Sequence, residues 1–441
     1  MFYRQRILQS YNPYSGIAHP FRAMKRQRKR MNSRAKFVVV MSSTALVALL
    51  LVGTVVSKGA PPDDDKNSST NVYRHLAVYS EVLARIRSEY VEEPDMKSVT
   101  LGALTGLLES IDPFASYMSA DQYKEYLKNF DSAKGDLGLI LAKKYGYITV
   151  VAAIPGSPAA KAGLTTGDML ETIKGVATRD MPLAYARLML KGAPGSTIDL
   201  SVLRRRPEPQ KMTLTRANVV SPAVESKMMP EGVGYIKVEA LTAGKAKEVA
   251  AAVGALQKQG AKRLLLDLRY CAAGEPEEGI ELANVFLSKG LITYATGQKY
   301  PRKDFNADPK AAISTLPLVV ITNRGTASGA ELAAAALAGN KRADLVGERT
   351  YGDASIRRSI PASDDGSAII LSVAKYYSPD GKSIQDNGVL PETANLVGEP
   401  EQGLDDDADA PDAAEQKAAA EEKKAGDVIL KRALEVISKK S

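Results

Sequence analysis

Residues 316–331 read LPLVVITNRGTASGAE. The run Leu316–Thr322 is apolar up to its last residue, the pattern of a strand covered on both faces. Asn323, Arg324 and Gly325 then turn the chain. From Ser328 to Ala338 small and apolar residues at helical spacing read as a helix. The same alternation recurs on either side. Gly234–Val238 reads as a strand, Ala243–Gln259 as an amphipathic helix, and Leu264–Leu268 as a second doubly covered strand. Glu277–Leu287 reads as a helix and Asp344–Val346 as a short strand. Strands alternating with helices predict a sheet with crossover helices.

Further from this centre the pattern changes. Residues 135–216 hold short alternating runs (Leu137–Ala142, Tyr147–Val151, Ile198–Leu203, Lys211–Thr215) between Gly and Pro turns, with one helix over Pro182–Lys191. This is a small β-rich module. Ahead of it, Val72, Leu76, Tyr79, Leu83, Ile86 and Tyr90 recur at three- and four-residue steps, the mark of a helix. A second helix covers Met96–Ile111, stopped by Asp112-Pro113, and a third Asp121–Phe130. Pro61–Thr70 is polar and reads as linker. Beyond Val397 the chain is rich in Asp, Glu, Ala and Lys and reads as disordered, until Val428–Ile437 recovers helical periodicity.

The 441 residues carry 59 Lys or Arg against 51 Asp or Glu, and ten of the basic residues lie in residues 1–36 with no acid among them. Past residue 36 the chain is close to neutral, so the excess is a topology signal and not a nucleic-acid groove. Phe37–Val56 is a 20-residue run without a charge, enough to cross a hydrocarbon core of about 30 Å. The basic flank predicts a single-pass anchor in the inner, cytoplasmic membrane, residues 1–36 inside and the bulk of the chain extracytoplasmic, in the periplasm. A cleaved signal peptide fits less well, since the leader is long and no A-x-A site follows. A start at Met31 would shorten the leader, and either reading sends the body across. A single cysteine, Cys271, excludes an intrachain disulfide, and two histidines, His19 and His75, exclude a His-rich metal site. No phosphate-loop or metal spacing is present, and no cofactor is expected.

Two stretches carry a resemblance. Gly135-Asp136-Leu137-Gly138-Leu139, then Ile154-Pro155-Gly156-Ser157-Pro158-Ala159-Ala160-Lys161-Ala162-Gly163-Leu164 and Gly167-Asp168-Met169-Leu170, resemble a PDZ domain. In such a turn the amides of Leu137, Gly138 and Leu139 cap a peptide's terminal carboxylate, and the next strand pairs with the peptide. The bland alternative is that Gly138 only makes a tight turn. Over Tyr73–Thr393 and the final helix, the chain is similar to the carboxyl-terminal processing (tail-specific) serine proteases. The matching blocks are Ile111–Tyr117, Gly234–Val238, Leu264–Arg269, Pro317–Asn323, Leu345–Gly352 and Ala374–Pro391. The implied fold is mixed α+β. Its expected parts are a leader (1–36), anchor (37–56), linker (57–70), helical arm (71–130), PDZ module (131–217), protease-like domain with a mixed sheet and crossover helices (218–396), disordered stretch (397–425) and closing helix (426–441).

That resemblance implies a Ser-Lys dyad. Thr326-Ala327-Ser328-Gly329-Ala330-Glu331 puts Ser328 at the nucleophile position at a helix start, where orphan amides favour an oxyanion. Gly329 and Gly274 are the implied donors. The base block reads Thr350-Tyr351-Gly352-Asp353-Ala354-Ser355-Ile356-Arg357, so Asp353 stands where the lysine belongs and Arg357 where a supporting glutamine belongs. The loop Arg269-Tyr270-Cys271-Ala272-Ala273-Gly274 has also lost one glycine of a pair, a proline and both asparagines. A lysine made less basic by burial can take a serine proton. A carboxylate with an ordinary pKa of about 3.9 is a weak base, and an arginine is none. Lys375 belongs to a separate block, His75 to the helical arm, and Cys271 reads as a small buried thiol. Ser328 itself also suits a helix cap.

Three readings follow. One is a non-catalytic binder of protein C-termini, alone or in a homo- or hetero-oligomer with an active homologue. The second is an active serine endopeptidase that trims envelope-protein tails with Ser328. The third is a structural protein that keeps only the fold.

Overall fold

The computed structural model describes residues 64–129, 134–144, 146–179, 181–204, 208–362, 365–397 and 427–440. The basic leader, the apolar run Phe37–Val56 and most of the acidic stretch before the last helix lie outside the described residues. Among the described residues no helix is long and apolar enough to cross a membrane.

The described residues divide into two units, with the boundary between Pro94 and Asp95. In the first, α1 spans Asp64–Glu89. It begins inside the segment expected to be linker. Extending an existing helix costs far less than nucleating one.

The second unit opens with α2 (Met96–Glu109), capped by Asp95, whose carboxylate accepts from Lys97 N at 3.0 Å. Next come β1 (Ser116–Met118) and α3 (Ala120–Asn129). A six-stranded antiparallel sheet follows: β2 (Leu139–Lys144), β3 (Tyr147–Ala153), β4 (Met169–Ile173), β5 (Val176–Ala177), β6 (Thr197–Leu203) and β7 (Gln210–Thr215). Its order is β2-β3-β4-β6-β7, with β5 beside β4, so β2 is an edge strand. The short α4 (Pro158–Lys161) and α5 (Leu183–Leu190) pack on it around Leu137, Ile148, Leu170 and Val202.

The sheet anticipated from the apolar runs contains β8 (Glu225–Met229), β9 (Val233–Lys237) and β10 (Arg263–Asp267). Helices α6 (Lys245–Lys258) and α7 (Pro276–Phe286) lie between its strands in sequence. A second sheet, absent from the sequence reading, holds β1, β11 (Leu291–Gly297) and β12 (Tyr300–Asn306). The central sheet is completed by β13 (Leu318–Thr322) and β14 (Ala343–Gly347), in the order β14-β13-β10-β9-β8. All its pairings are parallel except that of β8 with β9. The second sheet is completed by β15 (Ser355–Pro361) and β16 (Ala368–Tyr377), every pairing antiparallel. Helix α8 (Gly329–Gly339) joins α6 and α7 on one face of the central sheet. On the other face, α9 (Val428–Ser438) seats Ile429, Ala433 and Ile437 on Tyr235, Leu265, Val319, Ile321 and Val346.

Candidate active site

Strand β13 ends at Thr322, and residues 323–327 carry the chain to Ser328, one residue ahead of α8. Ser328 sits at φ 56°, ψ −128°. That is left-handed backbone for a residue with a Cβ and costs about 1–3 kcal/mol. Glu331 holds it there. Its carboxylate accepts from Ser328 N at 3.1 Å, from Gly352 N at 2.6 Å, from Asp353 N at 2.8 Å and from the Thr350 hydroxyl. One buried carboxylate thus ties the start of α8 to residues 350–353. Burial pushes its pKa up to about 8, opposed by these hydrogen bonds. In the sequence Glu331 is marked only by the Ser-x-x-Glu spacing of a capping box.

Asp353 and Arg357 face Ser328 across one cavity. Ser328, Gly274, Asp353 and Arg357 all line it, together with Asp136, Leu139, Arg187, Lys191 and Glu275, and its volume is about 380 Å³. Asp353 and Arg357 form an ion pair with each other. The Arg357 guanidinium also lies 4.1 Å from the ring centroid of Phe114, a cation–π stack. Phe114 is placed by Asp112, which accepts from Phe114 N at 2.9 Å and from Ser372 N of β16 at 3.2 Å. Arg187 reaches from α5 to the Leu141 carbonyl at 2.6 Å. Burial, and then the charge of Arg357, pull the Arg187 pKa below its ordinary value. Tyr351 beside them is pushed up to about 12 by burial and by Asp353.

The oxyanion side differs from expectation. Leu241 N binds Ala273 O at 2.7 Å and Glu275 N binds Leu241 O at 3.2 Å. This pairing leaves Gly274's own amide and carbonyl on the opposite side. It is the carbonyl that meets the serine, accepting from Ser328 Oγ at 3.1 Å. Gly274 therefore presents its carbonyl to the Ser328 hydroxyl, with its amide on the same side. Gly329, first in α8, has no carbonyl four residues back within the helix, so its amide is an orphan of the helix start. A Cβ on Gly274, at φ +137°, would fall 2.0 Å from Leu241 O. Gly274→Ala is expected to displace the 270–275 loop and lower stability by about 2–4 kcal/mol. Urea unfolding checks this, and a variant as stable as wild type would refute it.

The carboxylate turn is also different. Gly138 is required there, since at φ +78° its Cβ would lie 2.3 Å from Ser157 Cβ. The Leu137 and Gly138 amides do not point to an open seat. Both donate to Asp136 Oδ1, at 2.6 and 2.9 Å. Leu139 starts edge strand β2 and lines the cavity.

Lys375 is engaged elsewhere and Cys271 is shielded. Lys375 Nζ binds Asp386 at 2.9 Å. Cys271 is buried, and desolvation pushes its thiol pKa up, so it is not a thiolate at neutral pH. His75 is exposed on α1. The lysine on the cavity wall is Lys191, just past the end of α5.

A PDZ-like sheet beside a serine at a helix start, with Asp353 and Arg357 on the same cavity, is the scaffold of a tail-processing serine protease. Residues 232–394 match Peptidase family S41 and residues 149–204 match the PDZ domain family. The chain is 31% identical over 334 residues to the carboxy-terminal-processing protease of Bartonella bacilliformis, spanning 74% of this chain and 76% of that one. It is 33% identical over 316 residues to the carboxyl-terminal-processing protease of Synechocystis, spanning 70% and 74%. To the carboxy-terminal processing protease CtpA of Bacillus subtilis it is 31% identical over 309 residues, spanning 70% and 66%. The photosystem II D1 C-terminal processing protease has the same fold, with a TM-score of 0.60 at 24% identity over 75% of this chain and 94% of that one. The chain belongs to peptidase family S41, among the carboxyl-terminal processing proteases.

Proposed function

We propose that this chain is a catalytically impaired member of its family. In this reading it is anchored in a membrane by Phe37–Val56 and holds extended protein segments outside it, along β2 and past Ser328, as a scaffold or as a regulator of an active homologue. The observation that carries this is the Asp353–Arg357 ion pair in the seat of the base and its support. A carboxylate already engaged by a guanidinium is a poor acceptor for a serine proton, and the guanidinium cannot accept one. Gly274's carbonyl supports the same reading, because the Ser328 hydroxyl donates to it and a carbonyl is no base.

The second reading, an active endopeptidase, is favoured by one feature. Ser328 keeps a strained φ of 56°, and strain of this kind concentrates at working sites. The full-length purified chain distinguishes the two. We expect no labelling of Ser328 by a fluorophosphonate and no turnover of casein or of tail peptides. Asp353→Lys combined with Arg357→Gln should raise labelling at least tenfold. Turnover by the wild type that Ser328→Ala abolishes would defeat the impaired reading. In that event Lys191→Met would show whether the amine on the cavity wall is the base.

A further inference from the structure

The PDZ module has an anionic group of its own at the place where such modules take one from a ligand. We propose that Asp136 is a built-in occupant of the carboxylate seat, so that the groove accepts internal stretches of a partner chain and not free C-termini. This rests on the peptide-binding reading above and specifies which class of segment the same groove takes.

The geometry leaves the turn little freedom. Leu137 and Gly138 both give their amides to Asp136 Oδ1, at 2.6 and 2.9 Å. Their carbonyls are held from behind, by Ala159 N on Leu137 O at 3.0 Å and Ile154 N on Gly138 O at 2.8 Å. The Leu137 side chain is fully buried. With both carbonyls and the side chain fixed, the two amides cannot be re-aimed at a newcomer. A ligand carboxylate would have to displace Asp136 or share the turn with it, and two carboxylates at one site repel.

The rest of the groove suits a segment that continues in both directions. Strand β2 is an edge strand, and one of its carbonyls, that of Leu141, is already taken by Arg187 at 2.6 Å. Asp136, Leu139 and Leu141 line the same cavity as Ser328 and Gly274. A strand added to β2 can therefore run past the turn at one end without presenting a charge to it, and along the cavity wall at the other.

The test uses two pools of fluorescein-labelled random decapeptides, identical except that one ends in a free carboxylate and the other in a carboxamide. Each is titrated by anisotropy against the full chain as wild type, Asp136→Asn and Asp136→Gly. We expect wild type to bind the two pools within twofold of each other. Asp136→Asn keeps an oxygen that can hold both amides and should behave alike. Asp136→Gly empties the seat and should favour the free-acid pool about tenfold. A wild type that prefers the free-acid pool tenfold overturns the proposal, whatever the glycine variant does. A folded Asp136→Gly chain with no such preference overturns it too. If neither pool binds any of the three chains, the peptide-binding reading itself fails and takes this inference with it. Binding of both pools with the wrong preference leaves that reading standing.

Discussion

Truncating Glu331 to alanine is expected to unfasten residues 350–353 from the start of α8 and lower stability by about 3–5 kcal/mol. Four donors converge on this one buried carboxylate: three amides, of Ser328, Gly352 and Asp353, and the Thr350 hydroxyl. The hydroxyl can rotate toward another acceptor. The three amides are fixed by the backbone and would be left without partners. Amide hydrogen exchange at Gly352 and Asp353 should rise with the loss of stability, and unchanged exchange would refute the role given to Glu331. A pH dependence accompanies it. Burial raises this carboxyl from 4.5 to about 8, so the folded chain holds the proton more tightly than the unfolded one. Its contribution is then complete below pH 4.5, declines as pH rises from 4.5 to about 8, and is constant above. At about 1.4 kcal/mol per tenfold, the whole decline is at most about 5 kcal/mol. Glu331→Gln cannot titrate and should remove it. Urea midpoints of wild type and Glu331→Gln between pH 4.5 and 8.5 compare the two. Parallel curves would mean that Glu331 is charged throughout.

Deleting residues 427–441 is expected to be more damaging still. Ile429, Ala433 and Ile437 are each buried to within 3%. Leu430, Leu434 and Val436 add partial contact. Two buried isoleucines account for about 2–3 kcal/mol each. The deletion also uncovers Tyr235, Leu265, Val319, Ile321 and Val346 on the sheet beneath. Arg269 would lose Asp427, bound at 2.8 Å, though it keeps Asp267 at 2.6 Å. The sum approaches the whole stability of an ordinary domain, about 5–15 kcal/mol. The truncated chain should collect in the insoluble fraction or bind a hydrophobic dye strongly. The milder Ile437→Ala should stay soluble and lose about 2–4 kcal/mol. A truncated chain that melts with the wild type would show that the helix merely rests on the sheet.

Much of this fold is legible in the sequence, because burial on both faces leaves a plain mark. Leu264–Leu268 and Leu316–Thr322 are unbroken apolar runs, and both became central strands. The second sheet left no such mark. β12 reads YPRKDFN and β15 reads SIRRSIP, and both are largely exposed. Neither alternates cleanly, since their pairing is satisfied by backbone partners and not by a covered face. The site divides the same way. Ser328, Asp353 and Arg357 stand in recognisable blocks and share one cavity. The orientation of the Gly274 carbonyl was beyond reach, because it depends on a peptide plane set by Leu241, distant in sequence. Asp136 was visible as a residue, but its reach to the amides of Leu137 and Gly138 is a matter of rotamer. Arg187 joins the site only because α5 folds across β2.

The order of the chain matters when it is made. The helix that roofs the far side of the central sheet follows every strand it covers. While the chain folds, β9, β10, β13 and β14 keep one apolar face bare until α9 docks. The PDZ module, contiguous over 135–217, needs no such late arrival and can settle first. Between those two events the face that α9 covers lies open to any other apolar surface.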